Sequence, residues 1–162
     1  MEWLYLGIVF LIFIFGFVVF FGPPYLPTLD KQVKAALDML DLSPGDTMLE
    51  LGSGDGRVLK AAAKRGWKVV GYELNPILVI ISWFVTIKYR KQVKLVWGNF
   101  WLKKWPPAQG IFIFMIGRQM TKMDKRIQDM PNRPIRLTSF AFQIPTKKPT
   151  KQRSGIFLYE YK

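Results

Sequence analysis

The sequence predicts an α/β fold: a mostly parallel sheet with helices on both faces, shortened at its C-terminal edge and preceded by one N-terminal transmembrane helix. Three observations carry this expectation. Strand-like apolar runs alternate with helical runs from residue 47 onward, the pattern of β-α-β units. The run Met48-Leu49-Glu50-Leu51-Gly52-Ser53-Gly54-Asp55-Gly56-Arg57 reads as a buried strand, a Gly turn and the start of a helix. Trp3 to Gly22 is a stretch of 20 residues without a charge.

That stretch would be roughly 30 Å long as a helix, about one hydrocarbon core. Trp3 and Tyr5 at one end and Tyr25 at the other suit the membrane–water interface. A cleaved signal peptide fits less well, because Glu2 stands where a basic flank belongs and no small-residue cleavage site follows. Residues 3–22 are therefore expected to anchor the chain, 23–30 to form a stiff Pro-rich link, and 31–162 to form the domain. Every Lys and Arg follows the anchor, so the positive-inside rule points to a single-pass membrane protein with the domain in the cytoplasm.

The elements follow in order. Thr28 or Asp30 caps a helix from Lys31 to Leu40, with Val33, Ala36, Leu37 and Leu40 on one face. Ser43 to Asp46 is a turn, and Thr47 to Leu51 is the first strand. Asp55 to Arg65 is a helix stopped by Gly66. Lys68 to Tyr72 is a strand closed by Glu73. Pro76 opens a long apolar helix to about Arg90. Val93–Trp97 and Ile111–Ile116 are strands, the second apolar throughout and so central. Gln119–Asp129 is a polar helix, and Ile135–Phe142 and Ile156–Tyr161 are the last strands. Thr146 to Gly155 reads as a basic loop.

The 162 residues contain no Cys and no His. Disulfides, thiolate nucleophiles and Cys/His metal sites are excluded, and no metal is expected. From Lys88 onward 17 Lys and Arg face 3 Asp and Glu, whereas the first 87 residues carry a net −1. Such a half favours anionic partners. A bilayer surface is the expected one, and nucleic acid is not.

The Gly turn is of the form G-x-G-x-G, and the helix after it directs free N–H groups at a ligand. Glu73, 23 residues after Glu50, stands where a strand-two acid accepts from ribose hydroxyls. Asn99 and Phe100 after the third strand are placed to bracket an adenine. A pyrophosphate would want G-x-G-x-x-G and no acids. Here Glu50 and Asp55 make the turn negative, which suits a cationic nucleoside with an amino group, S-adenosyl-L-methionine, better than NAD or ATP.

Glu50-Leu51-Gly52-Ser53-Gly54-Asp55-Gly56-Arg57 followed by Gly71-Tyr72-Glu73-Leu74-Asn75-Pro76 resembles the Rossmann-like class I methyltransferases. With the Tyr25-Leu26-Pro27-Thr28 lead-in and Gly98-Asn99-Phe100-Trp101, it is similar to the small membrane-anchored protein-lysine methyltransferases, those acting on the ATP synthase c-subunit and the adenine nucleotide translocase. The resemblance implies that Gly52, Ser53 and Gly54 lie against the methionine part, with Glu50 near its amino group. Asp55 and Gly56 complete that turn. Glu73 would hold the ribose on a loop of Leu74 and Asn75, and Asn99 and Phe100 would flank adenine. Tyr25, Thr28 and Trp101 would stand on the substrate side. No catalytic residue is assigned.

Two departures set the chain apart from that pattern: Gly117-Arg118 after the fourth strand, and no room for a helix between Phe142 and Ile156. The expected function is methyl transfer by direct displacement to a lysine ε-amine of a protein at or in the membrane. A lipid-headgroup methyltransferase and a non-catalytic cofactor-binding relative remain open.

Overall fold

The computed structural model describes residues 2–21, 26–115 and 117–162. Helix α1 spans Glu2–Phe21. Its outer residues Trp3, Leu4, Tyr5, Leu6, Phe10 and Ile12 are exposed. The side chains at 11, 13–15 and 17–21 are not described, and among the described residues no helix is long and apolar enough to cross a membrane. The spanning segment expected at 3–22 is thus not shown by the structure. Gly22, Pro23, Pro24 and Tyr25 lie outside the described residues, and the link is seen only from Leu26.

The domain begins with α2 (Asp30–Leu40), then β1 (Thr47–Leu51), α3 (Arg57–Ala63), β2 (Lys68–Glu73), α4 (Pro76–Val85) and β3 (Val93–Trp97). It continues with β4 (Gly110–Ile113), α5 (Met120–Gln128), β5 (Ile135–Phe140), β6 (Lys151–Arg153) and β7 (Ile156–Tyr161). One seven-stranded sheet has the order β3-β2-β1-β4-β5-β7-β6. The first five strands in that order run parallel, and β7 is antiparallel to both β5 and β6. The order reverses between β1 and β4, so their carboxyl ends open a crevice there.

Strand alternation sorts the core into two layers. Leu49, Leu51, Val70, Tyr72, Ile111 and Ile113 face α5, which supplies Met120, Met123 and Ile127. Met48, Val69 and Phe112 face the other way, against Val33, Leu37 and Leu40 of α2 and Val58, Leu59 and Ala62 of α3. Each large aliphatic side chain so buried contributes about 1.5–3 kcal/mol relative to exposure. Tight packing on the α3 side requires Gly71, where a Cβ would lie 2.6 Å from a Leu59 methyl.

Several boundaries differ from the expected ones. Helix α4 stops at Val85, where Thr86 leaves helical dihedrals (φ −102°, ψ 6°) while its hydroxyl donates to the Ser82 carbonyl at 2.7 Å, and a single 3-10 turn, Ile87–Tyr89, follows. Strands β4 and β5 end at Ile113 and Phe140, before the expected 116 and 142. The helix expected to be polar, α5, is amphipathic and also buries Asp124. Asp124 accepts from the Tyr161 hydroxyl at 2.7 Å, the Thr146 hydroxyl at 2.6 Å and the Gln128 amide at 3.0 Å. The first two bonds fasten α5 to the C-terminal segment. Burial, with Asp124 beside it, pushes the Tyr161 hydroxyl far above its ordinary value.

Part of the expected basic loop at 146–155 is strand β6, paired to β7 through a turn in which Ser154 and Gly155 both have positive φ. Three exposed polar residues, Lys151, Gln152 and Arg153, carry no apolar alternation, which is why the strand is silent in the sequence. Among the described residues no helix lies between β5 and β7, where the sequence leaves no room for one.

Candidate active site

The crevice is built from the carboxyl ends of the parallel strands. After β1 the chain turns over the end of β2, where the Gly52 and Ser53 N–H groups both donate to the Tyr72 carbonyl at 2.9 Å. Gly52, Gly54 and Gly56 take φ of 92°, 54° and 82°, values that side chains disfavour. A Cβ on Gly52 would meet nothing within 4 Å, so this residue leaves open space above the turn. A Cβ on Gly56 would instead lie 2.3 Å from the Ser82 Oγ. Gly56 is thus where α3 meets α4, behind the crevice.

Glu73 closes β2 and is buried. One carboxylate oxygen accepts the Gly54 N–H at 2.8 Å, and the other accepts the Asn75 N–H at 2.8 Å. The Asn75 side chain accepts from the Ile77 N–H at 2.9 Å and caps α4. Leu74 stays at the crevice rim.

Glu50 lies beneath the turn, buried, with Oε2 lacking a hydrogen-bond partner. Burial, then the Asp55 and Glu73 charges, raise its carboxyl well above the ordinary value, opposed only by the Leu59 N–H. Ser53 Oγ is likewise buried without a partner. Asp55 is held by Arg57, whose Nη2 lies 2.8 Å from Oδ2 and whose Nε reaches both oxygens at 3.1 Å. The negative turn expected from Glu50 and Asp55 is therefore moderated: burial raises the Glu50 carboxyl, and Asp55 is ion-paired with Arg57. Arg57 also donates to the Thr28 carbonyl at 3.2 Å, which pins the N-terminal lead-in over the turn.

The opposite wall is the segment after β3. Asn99 accepts from the Trp101 N–H at 2.9 Å, and this starts a 3-10 turn at Phe100–Leu102. The Trp105 indole N–H donates to the Phe100 carbonyl at 3.0 Å. The Tyr72 hydroxyl, raised above its ordinary value by burial, donates to the Lys104 carbonyl at 3.0 Å. Arg126 of α5 donates to the carbonyls of Trp101 and Lys103 at 2.6 and 2.7 Å while stacking 4.1 Å above the Trp105 ring. Lys122 Nζ stands 4.4 Å over the Trp101 ring.

Between these walls lies a cavity of about 310 Å³. It brings together Thr28, Glu50, Gly52, Ser53, Gly54, Asp55, Glu73, Leu74, Asn99, Phe100 and Trp101 of the expected set. Gly56 and Asn75 do not line it: one is a helix contact and the other a helix cap. Tyr25 lies outside the described residues. The sequence reading missed Arg57, Tyr72, Phe112, Phe114, Met115, Gln119 and Phe142, which also line it. The end of β4 belongs at a strand-order reversal by rule, so Phe114 and Met115 had a signal. Phe142 reaches in from the irregular segment just beyond β5.

A Gly turn after β1, an acid ending β2 and a sheet of this order with an antiparallel β7 define a class I methyltransferase fold. The Salinibacter ruber RNA methyltransferase, solved with S-adenosyl-L-homocysteine, shares it at a TM-score of 0.75 and 22% identity, over 84% of this chain and 92% of that one. The chain belongs to the family described as the ANTKMT methyltransferase domain, whose model matches residues 50–151. It is 33% identical to the ATP synthase c-subunit lysine N-methyltransferase of Xenopus laevis, over 78% of this chain and 56% of that protein. It is 28% identical to the adenine nucleotide translocase lysine N-methyltransferase of Mus musculus, again over 78% and 56%. The chain spans about half the length of these curated relatives.

Proposed function

We propose that the chain is a membrane-tethered, S-adenosyl-L-methionine-dependent N-methyltransferase whose acceptor is a lysine ε-amine of a protein at or in the membrane, with the domain on the cytoplasmic side. The observation that carries the reading is the cavity that opens from the Gly turn and Glu73 to an aromatic wall of Phe100, Trp101, Phe112, Phe114 and Phe142. The residues fit the cofactor. Open space over Gly52, a buried Glu50 oxygen and a Ser53 hydroxyl without partners, and the Glu73 carboxylate suit a ligand with an amino group and a ribose diol. When bound, the cofactor supplies an electrophilic methyl group on a sulfonium.

The protein's part is positioning and desolvation. The Glu73 carboxylate, already fixed by two backbone donors, has lone pairs left for ribose hydroxyls. The aromatic end excludes water from an incoming amine. Lys122 and Arg126 beside Trp101 place positive charge near that end, which favours the neutral, nucleophilic amine over its ammonium form. The tether rests on the uncharged stretch 3–22 and on the exposed apolar side chains of α1.

The same cations suit a lipid phosphate, so a headgroup methyltransferase is the second reading. Transfer of labelled methyl from the cofactor into native membranes decides between them. A labelled protein band lost on alkylation of substrate lysines is expected, and a labelled lipid spot would favour the alternative. If S-adenosyl-L-homocysteine fails to raise the melting temperature and no label is transferred, the enzyme reading falls.

A further inference from the structure

Helix α4 is built inside out. Its inward positions are Leu78, Ser82 and Thr86, and the last two are 0% and 3% exposed. Its outward positions are Ile80, Ile81, Trp83 and Phe84, exposed by 57%, 41%, 42% and 62%, and Ile87 continues the face at 43%. The inward side is small because α3 comes so close: Gly56 leaves no room for more than Ser82. Nothing comparable explains the outward side, where solubility favours polar residues. No described element of the chain covers it. Trp97, 64% exposed with its indole N–H on the Leu74 carbonyl at 3.0 Å, extends the apolar surface towards the start of α4.

We infer that this face of α4 lies in the headgroup boundary of an anionic bilayer, as a second and peripheral membrane contact of the domain. Three features select lipid as the occupant. The apolar face is followed by Lys88, Arg90, Lys91 and Lys94, and the chain has no acid between Glu73 and Asp124, so the rim complements anionic headgroups. The Arg90 guanidinium stacks 4.1 Å over the Trp83 ring, a pairing that lets the indole sink while the charge stays at the surface. The end of the lead-in is also held against the helix pair that carries the patch. Arg57 at the start of α3 holds the Thr28 carbonyl at the end of the lead-in, while neighbouring Gly56 touches Ser82 in the middle of α4. The inference rests on the tethered reading, which brings the domain to the membrane, and it would set the cavity mouth at a defined height above the bilayer.

The chain has no cysteine, so single cysteines report single positions. Ile80→Cys, Phe84→Cys, Ile8→Cys on α1 and Lys125→Cys on the opposite sheet face are each labelled with a nitrobenzoxadiazole fluorophore in the full chain. The proteins are placed in phosphatidylcholine–phosphatidylglycerol vesicles with and without brominated acyl chains. Blue-shifted, bromine-quenched emission at 80 and 84, water-like emission at 125 and weaker quenching at 80 and 84 in phosphatidylcholine alone are expected. Quenching at 8 with water-like emission at both 80 and 84 overturns the inference and leaves the tether standing. A blue shift at 80 and 84 without bromine quenching means a protein occupant and overturns it too. Absence of quenching at 8, 80 and 84 together overturns the tethered reading with it.

Discussion

The Glu73 carboxylate accepts the Gly54 N–H at 2.8 Å across the crevice floor, so the acid that ends β2 also holds the Gly turn in shape. On the proposed reading, this structural latch is also the acceptor for the ligand's ribose. Glu73→Gln replaces one acceptor oxygen with an amide N–H that faces another donor. Hydrogen bonds to charged groups are worth about 1.5–3 kcal/mol, so affinity for S-adenosyl-L-homocysteine should fall about 10- to 100-fold. Isothermal titration calorimetry measures this, and unchanged affinity would remove Glu73 from the site.

Gly52 and Gly56 separate binding from stability. Both have positive φ, but a Cβ on Gly52 enters open space and one on Gly56 strikes Ser82. Gly52→Ala should lower stability by about 1–2 kcal/mol from the left-handed backbone alone and weaken cofactor binding by more than that. Gly56→Ala should cost the same backbone term plus about 1–3 kcal/mol of overpacking. Urea melts of the two variants give the order.

Glu50 makes stability depend on pH. Its folded-state value lies well above the ordinary 4.5, so the folded protein keeps a proton that the unfolded chain has released. The contribution of Glu50 is therefore fully present below about pH 4.5 and is lost as pH rises through the folded-state value. Glu50→Gln removes the titration. Above pH 4.5 the stability of the native chain relative to this variant should fall by up to about 1.4 kcal/mol per pH unit. Parallel urea curves for the two proteins across that window would contradict the buried carboxyl.

Arg57 couples the lead-in to the turn. Arg57→Lys keeps the charge but loses the forked grip on Asp55 and the reach to the Thr28 carbonyl. Amide hydrogen exchange at residues 26–30 should speed up, with a few-fold loss of cofactor affinity.

Asp124 tests the C-terminal attachment. Asp124→Ala leaves the buried Tyr161 hydroxyl without its acceptor and removes three bonds to one carboxylate. A loss of about 3 kcal/mol or more is expected, read as a fall in the denaturation midpoint.

Much of the binding half of the candidate site was legible because it is local. The Gly spacing, the acid before it and the acid ending the next strand lie within Glu50 to Asn75, where strand and turn chemistry dictate the backbone. The apolar run of β4 likewise announced a central strand. Roles were less legible than positions: Gly56 and Asn75 stand in the motif, yet packing makes one a helix contact and the other a cap. Phe142 and Arg126 reach the walls only because distant segments are folded against them, and no spacing encodes that.

The sequence alone determined a Gly turn at the carboxyl end of a strand in a mostly parallel sheet, behind an uncharged N-terminal stretch. Those are consequences of residue-by-residue backbone preference and polarity. The tertiary structure decided which side of each element is covered. Helix α4 shows the difference: its sequence is apolar almost throughout and has no period to read, and only the close approach of Gly56 to Ser82 turns its small residues inward and leaves Trp83 and Phe84 facing out.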